Sequence, residues 1–128
     1  MKYNELTRRY FENATCAGTL VGPGSFRGAA GSRAQGTWVQ FDVQVNSTTG
    51  RRTIRAVRFL AFACPHIIAV SAWLAERSVG LDAKAQLPES VQCIVERFEV
   101  PVEKLGRLLI VEDAWIGALG AAVSGGGH

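Results

Sequence analysis

Uncharged stretches are common in this 128-residue chain, but none is long enough to serve as a membrane-spanning helix. The longest lies between Arg58 and Glu76, where FLAFACPHIIAVSAWLA holds 17 residues without a charged side chain. A spanning helix needs roughly 20, and Pro65 and His66 interrupt this run near its middle. Histidine is also scarce: His66 and His128 are the only two. A Ser-His-Asp or Cys-His-Asn catalytic set therefore has one usable imidazole and no motif around it. The three cysteines, Cys16, Cys64 and Cys93, form no CxxC pair and no CxxC…HxxxH array, which argues against structural zinc within one chain. The glycine-rich passage from Gly18 to Gly36 has neither GxGxxG nor G-x-x-x-x-G-K-[ST] spacing and no lysine to hold a phosphate. The first residues, MKYNELTRRYFEN, lack the apolar core of a secretory signal. A reducing cytoplasm with free thiols is the expected setting.

What is abundant is apolar surface to bury. Hydrophobic residues make up 48% of the chain, which excludes disorder over its whole length. The net charge of +3 is uneven, with basic residues in excess before residue 63 and acidic residues in excess after it. Residues 3–13 read as a short helix with Tyr3, Leu6, Tyr10 and Phe11 on one side. The glycine-rich passage reads as a mobile loop with an edge strand. In Trp38–Val45 apolar and polar residues alternate, so Val39, Phe41, Val43 and Val45 point inward along a strand. Asn46–Gly50 is a turn. Residues 52–63 return as a second strand whose later half is apolar on both faces and is expected to lie under cover. From Pro65 the period becomes helical up to Gly80, with Ile67, Ile68, Val70, Trp73 and Leu74 expected to be buried. Pro88 opens a helix with Val91, Ile94, Val95 and Phe98 inward. Pro101 opens the last, through Leu105, Leu108, Leu109, Ile116 and Leu119. These elements predict an α+β fold: a small antiparallel β-meander of about three strands packed against helices, in the order α-β-β-β-α-α-α. One domain is expected over 1–122, followed by a flexible tail over 123–128.

Few residues offer chemistry. Cys64 falls at the N-cap of the Pro65 helix, where unpaired backbone N–H groups and the positive end of the helix dipole favour thiolate. The competing reading is a small buried hydrophobe at a strand end. His66 stands two residues on, where helical side chains diverge. Cys16 and Cys93 read as structural, and Glu112-Asp113 as a solvated helix face. Arg51, Arg52, Arg55 and Arg58 alternate with no base-stacking aromatics, so nucleic acid is not the expected partner.

Taken in order, several segments resemble the iron–sulfur cluster assembly scaffolds of the IscU type, equivalently the N-terminal domain of NifU. Tyr10-Phe11-Glu12-Asn13…Gly18 is similar to the family's Y-x-N-P-x-N-x-G entry. Val57-Arg58-Phe59…Cys64 is similar to A-R-F-x-x-x-G-C. Val100-Pro101-Val102-Glu103-Lys104 and Leu109-Ile110-Val111-Glu112-Asp113-Ala114 are similar to L-P-P-V-K and L-A-E-D-A. The likeness covers about residues 3–120 and implies the same sheet-on-helices fold. It also implies five cluster-ligand positions at one end of the molecule, of which only Cys64 keeps its ligand. The others fall on Gln35, Thr37, Gly106 and Arg107. A single thiolate holds no cluster firmly. The resemblance therefore implies a non-enzymatic binding or adaptor protein linked to cluster assembly. Its partners would be a cysteine desulfurase, a chaperone reading the segment of Pro101 and Lys104, or a second copy in a homodimer. A membrane is not among the expected partners. Two alternatives stand beside this. Cys64 accepts persulfide sulfur with Arg107 stabilising the anion, or two chains share iron, zinc or a cluster through Cys64 and His66 from each.

Overall fold

Asn4 starts the first helix by accepting a hydrogen bond from the Thr7 N–H, and the helix α1 that follows, Glu5–Glu12, is shorter than the expected 3–13. The computed structural model describes residues 3–14, 16–48 and 50–125. Three strands come next: β1 (Ser25–Ser32), β2 (Thr37–Thr48) and β3 (Arg51–Phe62). They form one antiparallel meander in the order β1-β2-β3, as the sequence pattern predicts. β2 runs further into the Asn46–Gly50 segment than expected, to Thr48, and β3 starts one residue early, at Arg51. Residue 49 lies outside the described residues.

The inward side chains follow the period-2 rule until β3 meets a bulge. Pairing joins Gln44 to Ala56 and Val45 to Ile54, leaving Arg55 without a partner. That extra residue reverses the alternation, so Val57 and Phe59 share the buried face with Ile54, which simple alternation would put outside. The later half of β3 departs from expectation. Leu60 and Phe62 are 38% and 51% exposed, because the helices cover only one face of the sheet there.

The opposite face is partly covered by the glycine-rich entry, which is packed rather than loose. Residues 16–18 run parallel to β3 with hydrogen bonds to both backbone groups of Phe59. The chain then crosses Asp42, whose buried carboxylate accepts from the Leu20 N–H at 2.9 Å and from Arg27 at 2.8 and 3.0 Å. Burial pushes the Asp42 carboxyl upward, but these donors outweigh it and its pKa lies below the ordinary range.

Three further helices complete the order: α2 (Pro65–Ser78), α3 (Val91–Phe98) and α4 (Leu105–Gly125). α2 packs on β3 and α4 lies across β1 and β2. α3 begins three residues after Pro88, because Ser90 is its cap and accepts from the Cys93 N–H. Pro101 leads into a single 3-10 turn, Val102–Lys104, before α4. Leu108 and Leu119 are buried as expected, whereas Leu109 and Ile116 face outward. α4 continues to Gly125, past the expected domain end at 122; residues 126–128 lie outside the described residues. No described helix is long and apolar enough to cross a membrane.

Candidate functional site

The strand register decides which residues meet at the Cys64 end. Trp38 pairs with Phe62, so Thr37 and the 33–36 turn share one sheet end with Cys64 just beyond β3. Cys64 is the N-cap of α2 and Pro65 fills the first helical position, as read from the sequence. No side-chain cap hydrogen bond is made there. The thiol is half-buried, and the desolvation this brings raises its pKa. That rise is outweighed by the Ile67 N–H at the helix start and by the nearby cations Arg107 and Lys104. The net result is a thiol pKa below the usual cysteine value of 9.0. The helix start supplies the N–H, and α4 supplies the guanidinium.

His66 does not join Cys64. It is 2% exposed and its Nδ1 lies 3.0 Å from the Nζ of Lys104, with the Tyr3 ring edge-on at 4.6 Å. Burial and the Lys104 charge both lower the His66 pKa, so the ring is neutral and accepts from the ammonium. Lys104, placed by sequence reasoning on a partner-reading segment, is only 8% exposed and turned inward. Pro101 is half-buried, while Val102 and Glu103 are exposed. The His66–Lys104 pair was invisible in the sequence, where 38 residues separate the two. His66 is thus enclosed by its own chain.

A match to the family described as NifU-like N terminal domain extends over residues 2–121. The chain belongs to this family. Two solved structures share the fold. One is proposed as an iron–sulfur cluster assembly scaffold protein for the SUF system, from Fervidobacterium islandicum AW-1. It has a TM-score of 0.64 at 13% identity, covering 91% of this chain and 96% of that one. The other is the N-terminal part of a nitrogen-fixing NifU-like protein from Brucella abortus. It has a TM-score of 0.66 at 17% identity, covering 94% of each chain. No curated protein matches the chain in sequence.

Within this NifU-like fold, the five positions assigned to ligands by resemblance can be tested for fit. Gln35 is exposed in the turn, its N–H bonded to the Ser32 Oγ at 3.2 Å. Thr37 is buried at the start of β2. Gly106 offers no side chain, and Arg107 is exposed, its charge favouring the ionised form of Cys64. Cys16 is held beside Phe59 and Cys93 is exposed on α3; all three thiols are free. Among the described residues no group of three or more His, Cys, Asp or Glu side chains is placed to hold a metal. The donor set does not fit a cluster. One soft sulfur next to a fixed cation leaves a metal without the several anionic donors it needs.

Proposed function

We propose that this NifU-like chain serves iron–sulfur cluster assembly as a binding protein and holds no cluster within a single chain. One observation carries the reading: Arg107 and Lys104 bring positive charge to Cys64, the one thiol among the five positions at that end. A permanent positive charge there opposes iron, and Gln35, Thr37 and Gly106 supply no anionic donor to offset it. On this reading the chain is not an enzyme. It works in a reducing cytoplasm and meets a cysteine desulfurase, or a second copy, through the Cys64 end. Exposed Phe62 lies two residues before Cys64, and exposed Val102 leads the turn that carries Lys104. Such uncovered apolar side chains suit a protein partner. Size-exclusion chromatography of the chain mixed with its host's cysteine desulfurase is expected to show a complex that Phe62→Glu weakens. Independent elution of the two proteins contradicts desulfurase docking.

A second reading is favoured by the same sulfur. The Cys64 thiolate attacks the outer sulfur of a persulfide on a donor cysteine. A new S–S bond forms at Cys64, the donor's S–S bond breaks, and the donor leaves as thiolate. No net oxidation occurs, and Arg107 balances the negative charge of the product. Mass spectrometry after incubation with a persulfide-loaded desulfurase is expected to place one extra sulfur atom on Cys64. Labelling of Cys93 alone, or of none, contradicts it.

A further inference from the structure

The end of the molecule opposite Cys64 carries a cleft of its own. There the segment after α2 adds itself to β3: the Ile54 N–H donates to Leu81 O, Gly80 N–H to Ile54 O and Ala83 N–H to Arg52 O. Between this segment and α4 lies a cavity of about 240 Å³ with apolar walls from Ile54, Leu81, Leu87 and Trp115. Its walls are held in place. The Trp115 indole N–H donates to Gln86 O at 3.1 Å, and its ring meets Phe41 edge-on at 5.2 Å.

Two polar features make this more than a packing gap. Ser78 lines the cleft, is fully buried, and its hydroxyl has no hydrogen-bond partner. Elsewhere on the same helix Ser71 donates to the carbonyl four residues back, at 2.8 Å. A buried hydroxyl left unpaired is unfavourable unless something else fills its need. At the outer end the cleft opens beside Asp82 and Lys84 into a wider groove of about 590 Å³ that also presents Arg51 and Arg52. Cations outnumber the one carboxylate there, and Arg51 reaches Asp82 only at 3.7 Å with both side chains exposed. The cleft thus runs from a cationic mouth, through apolar walls, to an unpaired donor.

The geometry points to a binding site for a small aromatic carboxylate bearing a hydrogen-bond acceptor at the end remote from its carboxyl. The ring lies against Trp115 and Leu87, the carboxylate faces Lys84 and Arg51, and the Ser78 hydroxyl donates to the far acceptor. This class follows from the three features together, since a purely apolar ligand leaves Ser78 unpaired and a purely ionic one leaves the walls uncovered.

Titration of isotope-labelled protein, followed at the Trp115 indole N–H resonance, tests it with three probes. 3-(4-Hydroxyphenyl)propionate is expected to shift that signal saturably. The 4-methyl analogue is expected to bind about tenfold more weakly, one hydrogen bond being lost. The amide of the hydroxy probe is expected to bind more weakly as well. Ser78→Ala should abolish the preference for hydroxyl over methyl, and Lys84→Glu, a surface change, should abolish the preference for carboxylate over amide. Absence of a saturable shift with either carboxylate in the millimolar range overturns the assignment. Equal affinity of the unaltered chain for the hydroxyl and methyl probes does so too.

Discussion

At the scale of single residues, the chemistry of the chain is concentrated in Cys64 and the groups that surround its sulfur. Arg107 and Lys104 both favour its charged form, so replacing Arg107 should move the thiol in a definite direction. Arg107→Ala is expected to raise the Cys64 pKa and slow its alkylation at neutral pH, measured as iodoacetamide rate against pH. An unchanged profile would show that Arg107 does not act on the sulfur. His66 makes a second residue-scale prediction. Its pKa is lowered in the folded chain by burial and by Lys104, while the unfolded chain keeps the ordinary value of 6.5. The unfolded state therefore binds more protons below that value, and stability falls as pH drops through it. The melting temperature is expected to decline between about pH 7 and pH 5.5, and His66→Gln to flatten that decline. Cys64 as an N-cap was legible from the Cys64-Pro65 pair alone, because proline suits a first helical position. The inward turn of Lys104 was not legible. A lysine beside an exposed turn looks solvated until the fold brings a buried imidazole within 3.0 Å of it.

At the scale of elements, the seating of α4 on the sheet depends on a missing side chain. A Cβ on Gly28 would stand well inside contact distance of Ala114 O and Ala118 N on the α4 backbone. Gly28 pairs with Phe41, whose ring meets Trp115, so β1 is bare where α4 approaches closest. Gly28→Ala is expected to cost about 2–3 kcal/mol, because α4 must shift away from the sheet. Gly36 has open space around it but a φ of +84°, so Gly36→Ala should cost only about 1 kcal/mol. Urea unfolding midpoints of the two variants check the contrast, and equal losses would contradict close packing at Gly28. Hydropathy pattern placed β2, β3 and α2 within a few residues, β2 by its alternation and α2 by an apolar run that is buried nearly all round. The same signal missed the reversal at Arg55, because a bulge leaves no mark in composition. It also missed Leu60 and Phe62, apolar residues on a face that the helices leave uncovered.

At the scale of the whole molecule, the NifU-like architecture persists, while of the ligand positions that the resemblance implies only Cys64 offers a soft donor. The strand register brings the 33–36 turn, Thr37 and Cys64 to one end, and α4 adds Arg107. That gathering was legible only through resemblance, since no local pattern links Gln35 to Arg107. The charge at the site was legible too, but its effect on the thiol required the fold. The account's central claim is that a single chain does not retain a cluster. Anaerobic incubation with ferrous iron, sulfide and thiol, then desalting and visible absorbance, measures this directly. The expected result is protein without stoichiometric iron or sulfide and without the absorbance of a cluster. A stoichiometric cluster that stays with the monomer through desalting would contradict the account.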